Sequence, residues 1–212
     1  MKSVQILSRA FLLLFIFISV ACANAPFTDS GSDDDLPPPR ETPKFKVEVV
    51  AENLVVPWSI AFVPDGRMFF TERPGRVRVI EKDKLREKPI FVFEDVELDS
   101  ETGLMGMAVH PKFEENHWLY FAYVYDTKDG KQVRVVRYKE TGEALVDRKV
   151  IIEGIRAAQY HAGMRLGFGP KDNKLYITTG DATKQKLAQK LDSLNGKTLR
   201  LNDDGTVPED NP

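Results

Sequence analysis

"MAVHPKFEENHWLYFAYV", Met107–Val124, holds an apolar strand, a proline, a polar turn, and then a second, longer run of apolar and aromatic residues. The same order recurs upstream in "IAFVPDGRMFFTE", Ile60–Glu72, and downstream in "LGFGPKDNKLYITTGD", Leu166–Asp181. Pro64, Pro111 and Pro170 open the three turns, roughly 50 residues apart, which is the period of a unit containing several short strands. Such a unit buries its faces only by stacking on copies of itself, and blades arranged around an axis do that. The sequence therefore reads as all-β, a β-propeller of which residues 44–212 make about three blades.

The stretches around these repeats agree. "RMFFTE" and "RVRVIE" flank the turn "RPG", and "WLYFAYVYD" and "QVRVVRYKE" flank "TKDGK", so antiparallel hairpins follow one another. "KFKVEVVAE" alternates and reads as a further strand. "TKQKLAQKLDSLNGK", Thr183–Lys197, has material for one or two helical turns and no more. With 42% hydrophobic residues and 29% charged ones, the 212-residue chain can bury a core. Its formal charge of −2 gives no electrostatic reason to bind nucleic acid, so a small substrate or a neutral partner is expected.

The N-terminus reads differently. Lys2 and Arg9 precede the apolar run Ala10–Ala21, too short to span a bilayer but suited to the core of a signal peptide. Residues 1–23 are thus expected to direct export to the periplasm or beyond the cell. Cleavage after Ala23 or Ala25 is one reading; the other takes "SVAC" as a lipoprotein signal, with Cys22 carrying a lipid anchor. Residues 24–43 are acidic and proline-rich, as a solvated linker is. "DSGSDDD" within it lacks the ordered glycine and distal glutamate of a calcium loop. Cys22 is the one cysteine, so an exported domain over 44–212 has no internal disulfide and relies on packing.

Three histidines are candidates for chemistry. His110 stands where the other repeats carry Val63 and Gly169, and reads as a structural turn residue. His117 lies in a polar turn and is expected to be exposed. His161 precedes its repeat, in a loop between Gly154 and Gly163, and its neighbours leave open whether it packs or is there for its proton. Strand ends on one face of a propeller converge on a central channel, so a polar side chain there points into a shared pocket.

The stretches "VPWSIAFVPDGRMFFTERPGRVRVI", "GLMGMAVHPKFEENHWLYFAYV", "YHAGMRLGFGPKDNKLYITTGD" and "LNGKTLRLNDDGTVPEDNP" resemble, in this order, the soluble PQQ-dependent aldose sugar dehydrogenases of the glucose/sorbosone dehydrogenase family. The resemblance runs from about Phe45 to the last residue. It implies a six-bladed propeller, of which this chain carries the N-terminal half. It also implies that His161, in the H-x-G-x-R-L motif, is the base that takes the anomeric hydroxyl proton of an aldose sugar while the C1 hydride passes to PQQ. Neutral imidazole suits that task near pH 7. Asp181 of the following "GD" would hold the other ring nitrogen, Glu101 would line the sugar pocket, and Tyr160 would stand beside the base. Arg165 is carried over as either structural or ligand-facing. Most groups that hold PQQ and the catalytic Ca2+ in the family fall beyond the position of Pro212, so no cofactor-binding or metal residue is assigned within this chain. An external electron acceptor is implied as well.

One departure from the family pattern concerns the site directly. The turn "GPKDNK" is a residue longer than the usual "GPDGK", so the register of His161 and Asp181 requires the turn to absorb the insertion. Two expectations from other classes stand beside the dehydrogenase. A non-catalytic exported propeller fragment could serve as a binding module, and its open blade edge would favour self-association. A sugar hydrolase with paired carboxylates has no acid pair that the sequence fixes at a separation.

Overall fold

A computed structural model of the chain describes residues 45–211. The signal-peptide and linker readings, Cys22 and the "DSGSDDD" stretch lie outside the described residues. The first sheet contains β1 (Pro57–Phe62), β2 (Met68–Glu72), β3 (Arg76–Glu81) and β4 (Lys84–Leu85) in that order, with β5 (Phe91–Val92) also paired to β3. A second sheet follows, made of β6 (Leu104–Val109), β7 (Trp118–Tyr125), β8 (Gln132–Glu140) and β9 (Leu145–Arg156), with the one-turn helix α1 (Phe113–Asn116) between β6 and β7. A third holds β10 (Met164–Phe168), β11 (Leu175–Thr179) and β12 (Thr198–Leu201). Every pairing is antiparallel and, apart from β3 with β5, sequential, so the three sheets are three blades of a β-propeller, each grown outward from its first strand.

The residues of β7 show why the blades stack. Leu119, Phe121, Tyr123 and Tyr125 join Phe69, Val77, Val79 and Phe93 of the first blade in one buried cluster. Tyr120, Ala122 and Val124 join Met164, Leu175, Ile177 and Leu201 of the third blade in another. Successive side chains of a strand point to opposite faces, so a run with no polar residue is what a sheet covered on both faces requires. Outside this sandwich the first sheet shows Ile60 (58% exposed) and Phe62 (67%).

β6 lies against β1 and β2 of the first blade and against β10 of the third. Thr71 Oγ1 donates to the Met105 carbonyl at 2.8 Å, and the Met107 amide donates to Ser59 Oγ at 3.3 Å. β6 carries a register shift between Leu104 and Met107, and a Cβ on Gly106 would stand 2.6 Å from the Met164 carbonyl oxygen. Only glycine permits that approach of β6 to β10. Arg165 proves to be a clamp between blades: its guanidinium lies 4.0 Å over the Trp58 ring, and Nη1 donates to the Trp58 carbonyl at 3.2 Å. Farther out, Arg67 of the first blade meets Glu140 of the second through two bonds of 2.8 and 2.9 Å.

Three expectations are refined or corrected. "KFKVEVVAE" forms no strand over its described residues, and Phe45, Val47 and Val49 are 75–79% exposed. Alternation makes a strand only where a partner supplies a ladder, and among the described residues no strand pairs with this stretch. Thr183–Lys197 forms one short 3-10 helix, Gln185–Gln189, and Lys197 Nζ donates to the carbonyls of Leu187, Ala188 and Asn195 at 2.9–3.0 Å. His117 is half-buried rather than exposed; it closes α1 in a left-handed conformation (φ 56) and packs edge-on against Phe113.

Candidate active site

Three loops meet at one end of the inner strands. One leads into β6 and carries Glu101, one leads into β10 and carries Tyr160 and His161, and one leaves β11 and carries Asp181. Because β10 and β11 are antiparallel, the residue before the first and the residue after the second fall together. Their pairing runs unbroken from Met164↔Thr179 to Phe168↔Leu175. The longer turn is absorbed locally: the Gly169 amide donates to Lys174 O, the Asn173 amide donates to Gly169 O, both at 2.9 Å, and Asn173 takes a left-handed φ of 54.

His161 Nδ1 lies 2.9 Å from Asp181 Oδ1. An ionised carboxylate can only accept, so this bond places the neutral ring's proton on Nδ1 and leaves the lone pair on Nε2. The same Asp181 oxygen accepts from the Thr183 amide at 2.9 Å, which fixes the carboxylate. The imidazole is 56% exposed and Asp181 is 20% exposed, so the ring faces open space with the acid behind it.

Glu101 is tied to the His161 segment in both directions. Its amide donates to Gln159 O at 3.1 Å, and its Oε2 accepts from the His161 amide at 2.8 Å. His161 itself has φ 57, a left-handed conformation that histidine adopts more readily than most residues but that still has to be held. Its carbonyl accepts from the Ala182 amide at 3.1 Å, so the backbone is pinned on both sides. A Cβ on Gly180 would collide with that carbonyl, which explains the glycine of "GD". Tyr160, 47% exposed, makes no hydrogen bond to the other three residues.

The supports of the Glu101 loop carry no mark in the sequence reading. Arg73 donates to Thr102 O at 3.0 Å and to Ser100 O, and buried Thr102 takes the Asp99 amide on its hydroxyl at 2.7 Å. Lys131, 2.6 Å from Asp99 Oδ2, holds the Asp99 carboxyl below its usual range. The threonine three residues after Asp99 is the local signal, a side chain that closes its own turn.

His110 is elsewhere and has another role. Its Nδ1 accepts from the Lys112 amide at 3.0 Å, its Nε2 lies 3.2 Å from Asp203 Oδ2, and it packs edge-on against Trp118 and Phe168. Burial pushes its pKa down, with Asp203 pulling partly back. It is the structural residue that its place in the repeat implies. Among the described residues no group of three or more His, Cys, Asp or Glu side chains is arranged to hold a metal ion.

The pattern of the family described as Glucose / Sorbosone dehydrogenase matches residues 54–212. An aldose sugar dehydrogenase of Escherichia coli (strain K12) is 32% identical over 172 residues, covering 78% of this chain and 46% of the relative. Quinoprotein glucose dehydrogenase B of Acinetobacter calcoaceticus is 27% identical over 198 residues, covering 79% and 41%. The solved PQQ-bound form of the aldose sugar dehydrogenase from Streptomyces coelicolor superposes with a TM-score of 0.70 at 30% identity, covering 78% of this chain and 50% of that one. The chain spans about half the length of these relatives.

Proposed function

The chain belongs to the glucose/sorbosone dehydrogenase family, and from that premise we propose that it supplies the proton-accepting part of a PQQ-dependent aldose dehydrogenase. The observation that carries this reading is the exposed His161 ring backed by Asp181 at 2.9 Å. With Nδ1–H bound to Asp181, the Nε2 lone pair is the group able to take the anomeric hydroxyl proton of a sugar. As that O–H bond breaks, the C1–O bond gains double-bond character, the C1 hydride leaves with its electron pair, and the aldose becomes a lactone. Asp181 stays ionised and stabilises the imidazolium, the division of labour of a hydrolase triad. Glu101, anchored through Oε2, keeps Oε1 available to accept from a second sugar hydroxyl, and Tyr160 lines the same opening.

PQQ, when bound, supplies the hydride acceptor, and an external acceptor then carries the electrons away. One imidazole and two carboxylates suit a base beside such a cofactor but not the binding of its own carboxylates, which call for cations. Among the described residues no cluster of His, Cys, Asp or Glu is arranged to hold Ca2+. Export belongs to the same proposal. A mature N-terminus between Cys22 and Pro26, read by mass, supports it, and a diacylglycerol mass on Cys22 selects the lipoprotein form; a product that retains Met1 overturns it.

The test joins residues 54–212 to the remaining part of the Escherichia coli relative and follows dye-linked aldose oxidation. His161→Gln keeps hydrogen bonding but cannot accept a proton, so kcat should fall by about 10²–10⁴-fold while PQQ still binds. A near-normal kcat in that variant would refute His161 as the base.

A further inference from the structure

His161 lies in the loop that carries the chain from the second blade to the third, three residues before β10. The β10–β11 pairing fixes the end of that loop beside Asp181, whereas its start leaves β9, the outer strand of the second blade. No strand pairing joins β9 to β11. The side chain of Asn195 does. It is 5% exposed, and its Nδ2 donates to Arg156 O at 2.8 Å and to Gly180 O at 2.9 Å. Arg156 is the last residue of β9 before the His161 loop, and Gly180 directly precedes Asp181. An asparagine side chain can donate to two carbonyls only through its NH2 group, which also settles the orientation of the amide.

The bridge is braced from behind. The Asn195 amide donates to Ser193 Oγ at 3.2 Å, its carbonyl accepts from Lys197 Nζ at 3.0 Å, and the adjacent Gly196 amide gives Gly180 O a second donor at 3.0 Å. We propose that Asn195 is a positioning residue that ties the start of the His161 loop to the Gly180–Asp181 turn and so sets the contact between His161 Nδ1 and Asp181 Oδ1. It touches neither ring nor carboxylate and acts through the backbone that carries them. Its relevance to sugar oxidation rests on the function proposed above, whereas its effect on the dyad does not.

The test is the tautomer of His161 in the full chain, read from ¹⁵N spectra of the imidazoles at mildly alkaline pH, with His161→Gln assigning the signal. The unsubstituted protein should show His161 with its proton on Nδ1. Asn195→Asp keeps the shape but turns an acceptor toward two carbonyls, and Asn195→Ser is too short to bridge them. In both, the single Nδ1–H pattern should give way to a mixture containing the Nε2–H form. His110 reports folding in the same spectrum, because its Nδ1 accepts from Lys112 and its proton stays on Nε2. Should Asn195→Asp fail to fold by that signal, Asn195→Ser decides the matter. Folded variants that retain a pure Nδ1–H His161, or an unsubstituted protein without it, overturn the proposal. Retained turnover in His161→Gln would instead remove the base reading and leave this result standing.

Discussion

At the scale of single residues the site is a problem of backbone placement before it is one of chemistry. His161 holds a left-handed φ of 57 because Glu101 takes its amide and Ala182 donates to its carbonyl. Gly180 leaves room for that carbonyl, and the obstacle a Cβ would meet is main chain, which cannot rotate away. Gly180→Ala should therefore cost about 1–3 kcal/mol of stability and pull Asp181 off the ring. Urea unfolding and the His161 tautomer check it together, and a variant unchanged in both would show that the turn has slack. The pairing of His161 with Asp181 was legible only through the family resemblance of the H-x-G-x-R-L and "GD" motifs, since the neighbours of His161 alone leave its role open. Asn195 was not, because an asparagine between a leucine and a glycine reads as a turn residue, while its partners lie 39 and 15 positions away.

At the scale of elements, strands were legible wherever their burial leaves a pattern. β7, apolar on both faces, announces a sheet covered on both sides, and the hairpins around "RPG" and "TKDGK" fall where their turn residues place them. "KFKVEVVAE" has an equally good pattern and pairs with no strand among the described residues, since alternation records a preference and not a partner. Contacts between blades were the least legible, because they join residues far apart in the chain. Arg67 and Glu140, 73 positions apart, are the example, with side chains 15% and 2% exposed. Glu140→Ala would leave the guanidinium in that interface with Asp65 alone, at 2.8 Å. Breaking a buried pair from one side costs about 3–5 kcal/mol, and the lower end is expected here because Asp65 remains. Urea unfolding measures it, and a loss under about 1 kcal/mol would mean that the apolar cluster alone holds the first two blades together.

For the molecule as a whole, stability should carry a pH signature from the boundary between the second and third blades. His110 at the end of β6 reaches Asp203 just beyond β12 across that boundary. Burial holds its folded pKa below the ordinary value, Asp203 draws it partly back, and Arg137 and Lys112 push it down further. In the unfolded chain the same imidazole titrates near about 6.5. Between these two values the unfolded state binds more protons, so stability falls as pH drops below about 6.5 and levels off once the folded imidazole is also charged. Above about 6.5 the full contribution is present. Carboxyls held low by their partners, Asp65 by Arg67 and Asp99 by Lys131, act in a separate window, since their contribution is lost only as pH falls through the carboxylate range. His110→Asn keeps a polar side chain of similar reach but cannot titrate. Urea unfolding from about pH 7.5 to 5 should slope downward in the unsubstituted protein and much less in His110→Asn. Parallel curves would place the pH dependence elsewhere and show that the His110–Asp203 contact does not couple the two blades to protonation.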